Sequence, residues 1–94
     1  MQDKIRAVRS EVLNSFNCIE VTAEIHTGTA IEEEFGVDTP YLVVISATRD
    51  EEPHNHDELA FATLEEANAC FDRFAEDSEM QYDFSCGDSR DFLR

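Results

Sequence analysis

The stretch RDEEPHNHDE, residues 49–58, has the residue types and spacing best suited to chemistry in this chain. His54 and His56 lie two positions apart among five carboxylates, and imidazole and carboxylate groups can together bind zinc or nickel. An extended backbone would place both rings on one side, which makes them weak candidate metal ligands. Because no third histidine or cysteine lies nearby, we favour an exposed polar loop and expect no metal or other cofactor.

Catalytic motifs do not stand out in the rest of the chain. General acid and base catalysis requires two carboxylates in different environments within a cleft, and no pair is marked in this way. The three glycines are not clustered, so no phosphate-binding loop is indicated. Cys18, Cys70 and Cys86 are far apart, which predicts buried or half-buried free thiols rather than a disulfide framework. We therefore expect a protein that is not an enzyme.

Acidity is the strongest signal in the composition. The chain has 22 Asp or Glu residues against 7 Lys or Arg residues, and its formal net charge is −15. The first nine residues carry +2 because they contain Lys4, Arg6 and Arg9, so the remainder carries −17. Such a field repels nucleic acids and anionic membranes and attracts basic protein surfaces. The expected partner is a basic nucleic-acid-binding protein, with no direct contact to nucleic acid or membrane.

Length and apolar content predict one compact acidic domain over residues 1–94. The hydrophobic fraction of 41%, including seven Phe, is enough to form a core. The longest apolar run, YLVVI, is far shorter than the ~20 residues that cross a bilayer. Because the N-terminal residues also lack the apolar segment of a secretion signal, a cytoplasmic location is expected, in the host-cell cytoplasm if the gene belongs to a phage.

The first half of the chain predicts one helix and two strands. Helical spacing of apolar residues over 3–16, with Asp3 as N-cap, predicts a helix carrying Ile5, Val8, Val12 and Phe16 on one side. Strict alternation over 18–27 predicts a strand with one wet face, and the apolar segment 41–49 predicts a central strand. Between them, Thr29 and Glu32 fit the cap of one short helical turn.

The second half predicts a third strand and a second long helix. The strand covers 58–62, and the helix covers 63–79 with a capping box formed by Thr63 and Glu66. The tail is ambiguous, since residues 80–84 alternate like a strand while Asp88 could cap a final helical turn. The predicted class is α+β: a helix, a three-stranded antiparallel meander, a helix and a short uncertain C-terminal element.

Three groups of carboxylates are the candidate partner-binding residues. On a helix continuing through residue 79, four acidic side chains fall on one side, opposite the apolar stripe. The two acidic segments that connect the predicted strands, one before residue 41 and one after residue 49, contribute three residues each. The candidates are Glu65, Asp72, Glu76 and Glu79 of the helix, Glu32, Glu33 and Glu34 of the first connection, and Asp50, Glu51 and Glu52 of the second.

In charge, length and predicted element order, the chain resembles small acidic inhibitors from phages and mobile elements. Some anti-CRISPR inhibitors of type II-A effectors are of similar size and acidity, with the same helix, three-strand meander and helix. This resemblance implies a DNA mimic that occupies the nucleic-acid site of a CRISPR effector or another defence protein. It rests on architecture and charge and assigns no contact residue.

Two other functions remain open from the residues. The acidity is also typical of a salt-adapted or regulatory domain, in which the charge serves solubility without nucleic-acid mimicry. A weak metal-binding module built on His54 and His56 is the third hypothesis. A homodimer is also open, because Leu42 and Val44 would make the outer face of the sheet partly apolar.

Overall fold

Four antiparallel strands form one sheet in the computed structural model, which describes residues 4–88 and 90–94. Neighbours in the sheet are neighbours in the chain, so the sheet is a meander: β1 (Arg6–Phe16), β2 (Ile19–Thr27), β3 (Tyr41–Arg49) and β4 (Glu52–Phe61). Three helices complete the chain: α1 (Thr29–Phe35) between β2 and β3, then α2 (Leu64–Ala75) and α3 (Ser78–Ser85). The predicted α+β class and antiparallel meander are confirmed, with a fourth strand and with strands first.

The N-terminal segment is a strand, and the helix predicted over residues 3–16 is wrong. β1 pairs with β2 along its whole length, with register shifts between Ala7 and Arg9 and between Val12 and Asn14. Its apolar residues form no buried stripe, because Val12 is 64% exposed. Asp3, expected to cap the helix, lies outside the described residues. β1 is an edge strand of the sheet.

The charged stretch over residues 49–58 is a tight turn and a strand, where the sequence predicted a loop. Asp50 and Glu51 have φ of 51° and 68°, the left-handed conformation of a two-residue hairpin turn. β4 then begins at Glu52, six residues before the predicted third strand. Pro53 is tolerated because β4 is the other edge strand, and the outer side of an edge strand makes no hydrogen bonds to a further strand.

The main core lies between one face of the sheet and helices α2 and α3. Alternate residues of β2 and β3 point to this side, and the largest side chains that meet them are phenylalanines. The fully buried residues are Val21, Ala23, Ile25, Val43, Ile45 and Ala47 from the strands and Phe71, Phe74 and Phe84 from the helices. Alternation therefore explains both the buried face of the two central strands and the polar character of the other face.

Helix α2 begins as predicted and ends earlier. The Thr63 hydroxyl accepts a hydrogen bond from the Glu66 N–H at 3.2 Å, which confirms Thr63 as the N-cap, and it donates to the Glu66 carboxylate at 3.1 Å. The helix ends at Ala75, and Asp77 caps α3 by accepting from the Met80 N–H at 3.0 Å. The single helix predicted over residues 63–79 is therefore wrong at its C-terminal end.

The tail is a helix followed by an irregular segment. Met80 and Phe84 are one helical turn apart in α3 and pack on the core, so their alternation with Tyr82 does not reflect a strand. Residues 90–94 form no helix, and the Asp88 carboxylate instead accepts a hydrogen bond from the Arg90 N–H at 3.0 Å. Phe92 is buried with its ring centroid 5.2 Å from that of Phe84 in an edge-to-face contact.

Candidate functional site

Asp72, one of the helix carboxylates chosen from the sequence, already has a cationic partner. It lies 2.9 Å from the guanidinium of Arg9, which also hydrogen-bonds Asn68 at 2.9 Å and Glu11 at 2.7 Å. Burial lowers the pKa of Arg9, but its bonds to the two carboxylates outweigh that effect and the pKa is raised. One arginine thus faces two carboxylates, so the group keeps one net negative charge while it holds β1 against α2.

The other three helix carboxylates do not form the single row that the sequence predicted. Glu65 lies in the first turn of α2, Glu76 is the residue that ends it, and Glu79 lies in the first turn of α3. Within residues 4–88 and 90–94 none of the three makes an ion pair. They remain exposed acidic positions, distributed over two helices rather than along one.

The two acidic connections lie at opposite ends of the sheet. Glu32, Glu33 and Glu34 belong to α1, which precedes β3, whereas Asp50, Glu51 and Glu52 follow it. A nine-residue strand spans roughly 26–30 Å at about 3.3 Å per residue, so the groups are separated by most of the molecule. A partner that contacts both groups must cover the length of the sheet.

His54 and His56 point to different sides of the sheet. A register shift in the β3–β4 pairing accommodates an extra residue, and the His54 ring lies near Gly87 on the side covered by α3. His56 instead points away from the helices, with Nε2 3.4 Å from the Glu58 carboxylate. No group of three or more His, Cys, Asp or Glu residues in the described chain has metal-binding geometry.

The sheet face turned away from α2 and α3, which we call the open face, brings together carboxylates that the sequence-based choice missed. In the strand register, Glu24 of β2, Val44 of β3 and Glu58 of β4 lie in one row across the sheet. The glutamates are therefore about 10 Å apart, two strand spacings, with an aliphatic residue between them. Glu20 lies on the same face, four residues before Glu24 on β2.

No arginine or lysine neutralises the open face in the described part of the chain. Glu24 receives a hydrogen bond from the Ser10 hydroxyl at 3.3 Å and lies 3.7 Å from Nε2 of His26. Glu58 has His56 as its neighbour. The basic groups closest to both glutamates are therefore imidazoles rather than permanent cations. The other ring nitrogen of His26, Nδ1, is buried and has no hydrogen-bond partner among the residues that the structure describes.

The arginines of the C-terminal half serve other contacts. Arg73 donates to the carbonyl of Leu93 at 2.8 Å, and Arg90 lies 2.7 Å from Asp83 and 2.9 Å from Asp88. These side chains hold the tail against the helices. The open face therefore presents Glu20, Glu24 and Glu58 without a compensating arginine or lysine among the described residues, and Val44 lies between the last two.

One end of the open face is closed by α1. Ile31 of α1 and Leu42 of β3 are both buried, and neither belongs to the main core on the helix side. Their burial outside that core indicates that α1 packs over the Leu42 end of the face. The apolar outer surface expected from Leu42 is therefore absent, while Val44 stays half-buried in the middle of the sheet.

Two of the shallow clefts that the described residues form lie outside the open face. The larger, about 410 Å³, is next to the β3–β4 turn and is lined by Asp50, Glu52, His54, Pro53 and Arg49. The smaller, about 280 Å³, lies along α3 and includes Glu79. Each combines carboxylates with one arginine, so neither is purely anionic.

The cysteines are all free, but only one of them is buried. Cys18 and Cys86 are exposed, which contradicts the buried or half-buried thiols expected from the sequence, whereas Cys70 lies in the core. Burial raises the pKa of the Cys70 thiol, and Arg73 lowers it in part. The protonated thiol donates a hydrogen bond to the carbonyl of Leu93 at 3.5 Å.

No protein-family model, curated protein or solved structure matches this chain. Within the described residues, no helix is long and apolar enough to cross a membrane.

Proposed function

We propose that this protein is a non-enzymatic inhibitor that occupies the basic nucleic-acid-binding site of a partner protein, presenting carboxylates where that site accepts phosphates. The observation that carries the proposal is the amount and arrangement of uncompensated negative charge. Fifteen net charges along a longest dimension of 40 Å correspond to about one per 2.7 Å, against about one per 1.7 Å in duplex DNA.

The open face is the surface on which this mimicry is best supported. Glu20, Glu24 and Glu58 lie on a rigid sheet, so their spacing is set by strand geometry rather than by flexible loops. Val44 and Val12 between and beside them offer apolar contact to the aliphatic stems of partner Lys and Arg residues. A surface of this kind binds through charge and packing together, which favours specificity over simple attraction.

The acidic positions selected from the sequence extend that surface. Carboxylates at both ends of the sheet, Glu32 to Glu34 and Asp50 to Glu52, would lengthen the anionic track across a partner's groove. Glu65, Glu76 and Glu79 lie on the helical layer and strengthen the overall field. Because long-range charge mainly raises association rates, we expect binding to be fast and to weaken with salt.

The partner class follows from the chemistry of the surface. A groove that binds nucleic acid through Lys and Arg side chains is complementary to this protein, and CRISPR effectors and other defence proteins of a host cytoplasm have such grooves. The resemblance to small acidic phage inhibitors favours this class, without naming one member of it.

Affinity capture from a host-cell lysate tests the proposal when run at about 50 mM and about 500 mM salt, where screening differs strongly. We expect one nucleic-acid-binding protein to be recovered at low salt and to be released by added DNA or RNA. A variant with Glu24→Gln and Glu58→Gln should recover less of it, while Glu11→Gln, a change of the same chemistry beside Arg9, should not.

Two results would contradict the proposal. Recovery of many unrelated basic proteins that elute together would show that the charge acts only as a general attractant. Recovery of no partner, with a urea midpoint that rises steeply with KCl, would instead favour a salt-adapted domain whose carboxylates repel one another at low ionic strength.

A further inference from the structure

We infer that two copies of this chain pair through their β1 edges, forming a symmetric dimer with one continuous eight-stranded sheet. The first observation is where exposed apolar side chains lie. Of the five most exposed large hydrophobic residues in the described chain, Val8 and Val12 are on β1 and Ile5 immediately precedes it. An exposed edge strand with apolar side chains and no proline presents unpaired backbone groups to another strand.

The other edge of the sheet lacks these properties. β4 carries Glu52, Asp57 and Glu58, and Pro53 removes one backbone donor near its start. The three carboxylates would make two β4 edges repel each other, whereas β1 has no proline and carries charges of both signs, Arg6, Arg9 and Glu11. The contrast between the two edges singles out β1 as the one that can accept another strand.

Charge also favours β1 as the contact between two highly acidic molecules. Over residues 4–16 the chain contains Lys4, Arg6 and Arg9 against one carboxylate, Glu11, so this segment carries +2. Everywhere else two copies would bring carboxylates together, whereas a β1 contact keeps most of them at a distance. Because Arg9 also bonds Glu11 and Asp72 of its own chain, the β1 contact brings together charges of both signs rather than two free basic patches.

Symmetry selects one register for the pairing. In a two-fold antiparallel pair, facing residues must lie on the same side of the sheet, and β1 is regular only between its two register shifts, over residues 9–12. A centre at Glu11 would place two glutamates opposite each other. A centre at Arg9 would place two arginines opposite each other, and a centre at Val12 would pair no opposite charges. A centre at Ser10 instead places Arg9 opposite Glu11 of the second copy.

A cysteine at the centre tests this register. Opposed residues of antiparallel strands have Cα atoms about 4.5–5.5 Å apart, within the range of roughly 4.4–6.8 Å that a disulfide spans. In a Cys18→Asn and Cys86→Ser background, Ser10→Cys should form a covalent dimer when diamide takes up the two electrons and two protons. The matched change Ser15→Cys on the same strand should give little covalent dimer, since it lies five residues from the two-fold centre and its two copies would be far apart.

Sedimentation equilibrium tests the dimer without chemical linkage. We expect a mass about twice the 10.7 kDa of one chain at high protein concentration, with association strengthened by salt because the net repulsion is screened. Val12→Lys should shift the protein to monomer although it lowers the net negative charge. The control Val37→Lys, at an exposed position outside the sheet, should leave the dimer intact.

Three outcomes would overturn the inference: a monomer at every concentration and salt, a dimer that Val12→Lys leaves unchanged, or Ser15→Cys linking as readily as Ser10→Cys. The salt response separates this inference from the proposed function. Binding of a basic partner should weaken as salt rises, whereas the β1 dimer should strengthen, so either can fail alone.

Discussion

The guanidinium carbon of Arg9 lies 3.8 Å from the centroid of the Phe71 ring, which joins the edge strand β1 to the buried side of α2. The same side chain hydrogen-bonds Asn68 and forms an ion pair with Asp72. One arginine therefore makes a cation–π contact and two polar contacts with α2. A residue that reads in the sequence as part of a basic N-terminal surface is thus a structural connection between the two layers.

Arg9→Ala should lower the free energy of unfolding by about 1–2 kcal/mol, from the lost cation–π contact and two partly exposed polar contacts. Arg9→Lys should recover only part of this, because an ammonium group cannot reach both partners while covering the ring. Urea unfolding followed by circular dichroism measures both. Arg6→Ala is the control, and an equal loss in that variant would show that Arg9 has no special role.

Glu51→Gly should raise the free energy of unfolding by about 1 kcal/mol, because glycine adopts a positive φ without steric cost. The φ of 68° at Glu51 is in the left-handed region, in the two-residue turn between β3 and β4. Glu51→Gln removes the charge but keeps the side chain, so it should gain little. If Glu51→Gln stabilises as much as Glu51→Gly, charge repulsion rather than backbone conformation is the cause.

Zinc should not stabilise the protein through the two histidines of β4. His54 and His56 lie on different sides of the sheet, so they cannot share an ion without rebuilding the strand. We expect the same melting temperature with and without zinc in the wild type and in His54→Ala. A zinc-dependent rise that His54→Ala removes would contradict the observed strand geometry and restore the metal-binding hypothesis.

Stability should fall at alkaline pH because of Cys70. Its raised pKa means that the folded state keeps the thiol proton to higher pH than the unfolded chain does, where the pKa is about 8.5. The contribution is therefore complete below that pH and is lost as pH rises toward the folded-state pKa. The urea midpoint should fall more in the wild type than in Cys70→Ala when the pH is raised from below the unfolded-state pKa of the thiol to well above it. Equal differences would show that Cys70 does not cause the loss.

The sequence predicted the two central strands well and the first strand badly, for a physical reason. β2 and β3 have neighbours on both sides and regular alternation or apolar runs, which simple periodicity detects. β1 contains two register shifts, and each adds a residue that breaks the period of two. The spacing of Ile5, Val8, Val12 and Phe16 therefore matched a helix although the segment pairs with β2.

Local signals fixed where α2 begins but not where it ends. The Thr63–Glu66 capping box was recognisable because both partners lie within one helical turn. The break after Ala75 depends on Asp77 capping α3 and on the packing of α3 against the sheet, which are tertiary features. The predicted acidic row through Glu79 was lost with that break.

The open face could be inferred only in part from the sequence. Alternation over residues 18–27 correctly placed Glu20 and Glu24 on the wet side of a strand. Glu58 was missed as a neighbour of Glu24, because its position depends on the extent of β4 and on the register of three strands. Long-range pairing of this kind leaves no signature in a single segment.

Displacement of nucleic acid from the captured partner tests the central claim most directly. Fluorescence anisotropy of a labelled oligonucleotide bound to that partner would be followed as this protein is added. We expect complete release of the oligonucleotide, and a higher concentration of the Glu24→Gln, Glu58→Gln variant for the same effect. An oligonucleotide that stays bound while this protein also binds the partner would contradict the claim that the two compete for one site.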